Sequence, residues 1–229
     1  MNLKNANWSF SGENAKKFDN HILKSVPLYK EGHDLICRLS DFFLSNQSIC
    51  YEIGCSTGTL LESLAEHNKA KSIKIIGIEI EEDMVNCAKS KLSSYSNVDV
   101  LCDDILNLEL EKSDLIISYY TIQFIKPRVR QLIFDKIYNS LNWGGAFLLF
   151  EKVRGADARF QDISTALYTD YKLEQGFSKE EILDKTRSLK GILEPFSTQG
   201  NLDLLERAGF TDITTIMKYV CFEGFLAIK

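Results

Sequence analysis

The stretch that most constrains this chain runs Ile49-Cys50-Tyr51-Glu52-Ile53-Gly54-Cys55-Ser56-Thr57-Gly58-Thr59-Leu60-Leu61. An apolar run ends in a loop with two glycines, and a helical pattern follows on Leu60, Leu61, Leu64 and Ala65. Gly54 has no Cβ, so the chain can turn sharply there and approach a ligand closely. Ser56 or Thr57 is placed to cap the helix, whose first N–H groups would face an anion. The spacing is Glu-x-Gly-x-x-x-Gly, which does not fit the G-x-G-x-x-G dinucleotide fingerprint.

From this point strand and helix patterns alternate. Strands are expected at 49–53, 73–79, 98–102, 114–118 and 146–150. Helices are expected at 34–44, 57–67, 82–92 and 126–141, with Trp143-Gly144-Gly145 as a turn before the fifth strand. A helix at 202–208 stops at Gly209, and 213–220 and 225–228 read as an antiparallel pair. The alternation predicts an α/β fold with a doubly wound, mostly parallel seven-stranded sheet, Rossmann-like, with an antiparallel last strand and a helical lid. Residues 1–45 read as an N-terminal helical arm or lid. Residues 46–229 read as the ligand-binding domain, with a helical acceptor-pocket insertion at about 152–200.

Composition limits the function classes. With 229 residues and a net charge of −5, the chain lacks the basic balance of a dedicated nucleic-acid binder, so direct binding of nucleic acid is disfavoured. Lys126, Arg128 and Arg130 form one compact basic cluster, read as the solvated first turn of a helix or, alternatively, a phosphate site. The six cysteines show no C-x-x-C pairing and read as reduced thiols of a cytoplasmic protein. The three histidines are too dispersed for a structural zinc site, so no metal is expected. No run approaches the length of a membrane span, and no membrane partner is expected.

In an open α/β sheet ligands bind at the carboxyl ends of the strands. Here Glu52 lies near the end of strand one, with the loop Gly54, Cys55 and Ser56 after it, and Glu79 ends strand two, with Ile80 after it. Asp104 and Ile105 follow strand three, and Tyr119, Tyr120 and Gln123 follow strand four. Glu79 can accept from both hydroxyls of a ribose, and Asp104 from an exocyclic adenine amine over an Ile105 packing surface. Singly, Glu79 is equally a solvated strand end and Asp104 a helix cap. In order at successive strand ends they point to an adenosine-type ligand, S-adenosyl-L-methionine (SAM). Glu151, ending strand five, is the candidate acid or base, with pairing to Lys152 or Arg154 as its plainer role. Tyr120 is the second catalytic candidate. Methyl transfer needs alignment and exclusion of water more than a protein nucleophile.

The order of these residues resembles the class I SAM-dependent methyltransferases across roughly residues 45–229. A nearer resemblance spans almost the whole chain. Ser25-Val26-Pro27-Leu28-Tyr29, Tyr120-Thr121-Ile122-Gln123-Phe124, Glu151-Lys152, Asp170-Tyr171-Lys172, Gly176-Phe177-Ser178 and Arg207-Ala208-Gly209-Phe210 are similar to the carboxy-SAM synthase family. That family makes carboxy-SAM from SAM and prephenate for wobble-uridine modification of tRNA, and its members are cytoplasmic homodimers. The resemblance implies that Tyr29, Gly54, Cys55, Ser56, Glu79, Asp104 and Ile105 hold the nucleoside and its attached chain. Two positions depart from the pattern. The family has Asn where Tyr119 stands, and an Arg that holds the added carboxylate falls, by alignment on the Ala-Gly-Phe segment, at Leu204. Losing such a charge partner would cost roughly 3–5 kcal/mol, with Arg207 one turn later as the available substitute. The expectation is therefore a SAM-dependent methyltransferase acting on a small-molecule acceptor, with carboxy-SAM synthase as the alternative.

Overall fold

The computed structural model describes residues 6–229, apart from the side chains of residues 13–16; residues 1–5 of the expected arm lie outside the described residues. The sheet has the strand order β3-β2-β1-β4-β5-β7-β6. The strands are β1 (Ile49–Ile53), β2 (Lys74–Glu79), β3 (Val98–Cys102), β4 (Ser113–Tyr119), β5 (Leu141–Lys152), β6 (Asp212–Tyr219) and β7 (Phe222–Ile228). β1 pairs in parallel with both β2 and β4, so the strand order reverses at β1 and a crevice opens at its carboxyl end. β7 lies antiparallel between β5 and β6.

The helices are α1 (Glu13–Ser25), α2 (Tyr29–Phe43), α3 (Thr59–His67), α4 (Glu82–Lys91), α5 (Pro127–Ser140), α6 (Ala158–Glu174), α7 (Lys179–Ser188) and α8 (Thr198–Ala208). Successive strand residues feed two separate cores, because strand side chains alternate between faces. Cys50, Ile75, Leu115 and Leu148 pack with Ile36 of α2, Leu61 of α3 and Val85 of α4. Tyr51, Ile76, Ile116 and Phe147 pack with Phe134 of α5 and Leu205 of α8. Both faces being covered explains why these strands read as continuous apolar runs.

Close packing sets one local requirement. A Cβ on Gly77 would stand 2.5 Å from Leu61 Cδ1 and 2.7 Å from Cys55 Sγ. Gly77→Ala is expected to cost roughly 1–3 kcal/mol through overpacking, read as a lower denaturation midpoint in urea.

Three expectations change. The helix after the glycine loop starts later, with Gly58 (φ +77°) preceding its first residue and no side-chain cap. Ser56 and Thr57 therefore do not cap it; the Thr57 hydroxyl donates to the Asp19 carboxylate of α1. Strand five begins at Leu141, and Trp143-Gly144-Gly145 forms an irregularity inside it rather than a preceding turn, with Gly144 at φ +78°. Arg130 is 1% exposed, not solvated. Its guanidinium donates to the carbonyls of Ile125 (2.8 Å) and Gln123 (3.1 Å) and lies over the Phe196 ring. Among the described residues no helix is long and apolar enough to cross a membrane.

Candidate functional site

The crevice at the carboxyl ends of β1, β2, β3 and β4 opens into a cavity of about 1710 Å³. Its floor begins at the glycine loop. Gly54 (φ +71°) and Cys55 direct their N–H groups to the Ile78 carbonyl, at 2.7 and 3.1 Å. A Cβ on Gly54 would collide with the Thr121 side chain. The Cys55 thiol is buried, and burial pushes its pKa well up, so it acts as an apolar wall. The six cysteines are free, and Cys102 is exposed while Cys37, Cys50, Cys55 and Cys221 are buried.

Glu79 organises the next segment. Its carboxylate accepts from the N–H groups of Ser56 (2.9 Å), Ile80 (2.9 Å) and Glu81 (3.0 Å). One side chain thus ties the glycine loop to the loop after β2, and its remaining lone pairs can accept ribose hydroxyls. Burial raises its pKa against the pull of those three donors. Asp104 accepts from the Leu106 N–H at 2.9 Å and keeps an oxygen for a further donor, beside buried Ile105. Ile80 is 63% exposed at the rim.

Glu52 is buried, and its Oε2 has no hydrogen-bond partner. Burial first, then the Glu79 charge, pushes its carboxyl up to about 8. An orphaned acid facing a cavity calls for a donor or cation from a ligand. A folded pKa above the ordinary 4.5 means that the folded chain holds the proton more tightly than the unfolded chain. The associated stability is present in full below about 4.5 and is lost as pH rises through about 8. Glu151 shifts in the same direction. The unliganded protein is therefore expected to melt at a lower temperature above about pH 8 than near pH 5. Glu52→Gln should shrink that difference and raise the melting temperature at the alkaline end. Identical melting profiles for the two proteins would rule this out.

The wall after β4 is aromatic. The Tyr119 phenol donates to the Tyr29 carbonyl at 2.7 Å, and its ring lies 5.1 Å from that of Tyr29 and 4.6 Å from that of Tyr120. Tyr119 thus ties the end of β4 to the start of α2. Tyr120 sits at φ +60°, and its buried hydroxyl has no hydrogen-bond partner. Gln123 braces the turn, donating to the Tyr120 carbonyl (3.0 Å) and accepting from the Lys152 N–H (3.0 Å). Burial raises the pKa of Tyr29, Tyr119 and Tyr120, keeping all three phenols neutral.

The sequence-derived positions Tyr29, Glu52, Gly54, Cys55, Ser56, Glu79, Ile80, Asp104, Ile105, Tyr119, Tyr120 and Gln123 all line this cavity. Glu151 does not. Its 2%-exposed carboxyl turns to the opposite face of β5, where the Ile122 and Gln123 N–H groups and the Arg130 charge oppose the effect of burial. Neither Lys152 nor Arg154 forms an ion pair with it among the described residues. Leu204 and Arg207 also lie elsewhere. Leu204 is buried in the core with α5, and Arg207 donates to Gln131 on the outer surface. Of the helices between β5 and β6, α6 faces the cavity through Tyr168 and Lys172 and α7 through Ile182 and Lys185, while α8 does not. Leu204 therefore does not line this cavity.

Residues 7–10, in the segment read as an arm or lid, form part of the cavity wall, with Trp8 N–H donating to the Ser188 carbonyl (3.3 Å) and the Phe10 ring 4.9 Å from Phe124. Lys152, Lys172 and Lys185 line it as well. Strand alternation could have found Lys152, because it must face away from its neighbour Glu151.

The fold is the Rossmann-like fold of the methyltransferases, and residues 51–145 match the family model described as a methyltransferase domain. Human N-acetylserotonin methyltransferase, solved in complex with SAM, superposes with a TM-score of 0.64 at 20% identity, covering 96% of this chain and 56% of that one. A SAM-dependent methyltransferase from Aquifex aeolicus superposes with a TM-score of 0.63 at 17% identity, covering 96% and 99%. The chain is 36% identical to carboxy-S-adenosyl-L-methionine synthase of Staphylococcus epidermidis over 230 residues, all of both chains. It is 38% identical to the Campylobacter jejuni protein of the same name over 224 residues, 97% of this chain and 94% of that one. The chain belongs to the carboxy-S-adenosyl-L-methionine synthase family.

Proposed function

We propose that this chain converts SAM to carboxy-SAM, with prephenate as the carboxyl donor. The observation that carries the reading is the convergence of the family-matched residues, from Tyr29 to Ile105, on one cavity. The departure that favoured a plain methyltransferase, Leu204, lies outside that cavity. The residues fit the cofactor. Glu79 and Asp104 offer acceptors to the ribose and the adenine amine, and the unpartnered Glu52 oxygen suits a cationic group. Bound SAM supplies an activated methyl group on a sulfonium.

The protein's part is to align, to dry and to donate. Tyr29, Tyr119 and Tyr120 present neutral aromatic surfaces, which favour a sulfonium by cation–π attraction and exclude water. None of these phenols serves as a base near neutral pH, and Glu151 is out of reach beneath β5. A donor substrate that carries its own base suits such a site. Prephenate gives up its ring carboxyl and its hydroxyl on becoming aromatic phenylpyruvate. The hydroxide accounts for the methyl proton as water, and the carboxyl group ends on the former methyl carbon. The free Tyr120 hydroxyl is a hydrogen-bond donor for a carboxyl oxygen during this exchange.

Purified protein incubated with SAM and prephenate, followed by mass spectrometry, is expected to show SAM plus one CO₂, along with phenylpyruvate. S-adenosylhomocysteine formed with a mixture of small acceptors, without any carboxylated product, would overturn the reading in favour of methyl transfer.

A further inference from the structure

Lys152, the last residue of β5, and Lys172, near the end of α6, meet over one aromatic ring inside the cavity. The Lys152 ammonium is 4.1 Å from the centroid of Tyr168 and 5.8 Å from that of Phe222. The Lys172 ammonium is 4.6 Å from the same Tyr168 centroid. The ring is fixed in place: its hydroxyl donates to the Ser25 carbonyl at 2.8 Å, and Phe222 meets its edge at 5.2 Å. Both lysines are half-buried, and neither ammonium lies within ion-pair distance of a carboxylate among the described residues.

Such a pair is costly as it stands. Burial lowers the pKa of both ammonium groups, and the Lys152 charge lowers that of Lys172 further, to about 8. A cation–π contact offsets only part of what partial desolvation and like-charge repulsion cost. Buried charges are ordinarily paired. The position of the pair suggests where its partner comes from. Phe222 separates Tyr168 from Tyr120, with ring centroids 5.2 and 5.7 Å apart, so the two cations stand one ring away from the aromatic wall of the reaction end.

We propose that Lys152 and Lys172, held over Tyr168, form the anion site that seats a carboxylate of the second substrate beside the SAM half of the cavity. The assignment rests on the carboxy-SAM synthase reading for the identity of that substrate, a dicarboxylate. The site itself calls only for a carboxylate with oxygens free to accept from two ammonium groups. An anion there removes the repulsion between the lysines, so its binding gains more than a single exposed ion pair would supply.

The test compares the wild type with Lys152→Gln, Lys172→Gln and Lys172→Arg. In the SAM and prephenate assay each Gln variant is expected to raise KM for prephenate roughly tenfold or more. KM for SAM should stay within about twofold. Lys172→Arg should recover most of the prephenate affinity, which a purely packing role for Lys172 would not require. Unchanged prephenate KM in both Gln variants, or equal losses for SAM and prephenate, would overturn the site while leaving the reaction intact. If wild-type protein makes no carboxy-SAM, the functional reading fails separately, and the site is then judged by calorimetry of the SAM-loaded protein with malonate. Saturable malonate binding that is lost in Lys172→Gln supports the site; no binding to wild type overturns it.

Discussion

Glu79→Ala is expected to weaken SAM binding by about two to three orders of magnitude, measured by calorimetry. A hydrogen bond to a charged acceptor contributes roughly 1.5–3 kcal/mol, and a ribose offers two hydroxyls. The substitution also releases the N–H groups of Ser56, Ile80 and Glu81, which the carboxylate holds at 2.9–3.0 Å. The glycine loop would then lose its tether to the end of β2, and the site would have to be ordered at the expense of binding energy. Glu79→Gln keeps the shape and loses the charge, so an intermediate loss is expected. Folding should suffer less than binding, because the freed N–H groups face a cavity open to water. An unchanged dissociation constant for SAM in Glu79→Ala would remove Glu79 from the site.

Arg130→Ala should produce the largest loss of stability, roughly 3–5 kcal/mol by chemical denaturation. The guanidinium is 1% exposed and donates to the Ile125 and Gln123 carbonyls. It rests on Phe196 and opposes the burial effect on Glu151. Its removal takes a donor from the Ile125 carbonyl and one of two from the Gln123 carbonyl, leaves a void against Phe196, and leaves an acid whose charged form has lost its counterweight. The Gln123 carbonyl also accepts from the Glu194 N–H at 2.9 Å, so the damage reaches the segment that closes the cavity beyond α7. Arg130→Ala combined with Glu151→Gln should recover part of the loss. Strict additivity of the two substitutions would show that Arg130 and Glu151 are not coupled.

Much of the fold was legible because its signals are local. The apolar runs of β1, β2, β3 and β4 and the buried stripe Ile133 and Ile137 of α5 follow from side-chain period alone. The start of β5 was not: Trp143-Gly144-Gly145 carries turn chemistry, and only pairing of Leu141 with Ser113 across the sheet extends the strand through it. The caps at the glycine loop failed for a related reason. Thr57 had a partner 38 positions earlier, Asp19, which no local rule can supply.

The nucleoside half of the site was equally legible, since acids at successive carboxyl ends of parallel strands must converge once the sheet forms. Glu151 stands at such an end too, yet faces away. Its neighbour Lys152 takes the cavity side, because strand residues alternate and the strand end fixes which face is which. Leu204 and α7 show the limit on the other side of the cavity. Helices added between β5 and β6 have mixed polarity, and their order in sequence does not say which one covers the crevice.

By itself, then, the sequence determined a doubly wound sheet and a glycine loop followed by acids at the strand ends. These depend on backbone geometry and on periods of two and 3.6 residues. Only the tertiary structure decided that Arg130 is buried, that Glu151 lies beneath the sheet, and that α6 and α7 rather than α8 wall the cavity. It also decided that two lysines twenty residues apart share the ring of Tyr168. Those outcomes depend on which distant groups desolvate one another, and a side chain's cost of burial is set by partners that chain order does not name.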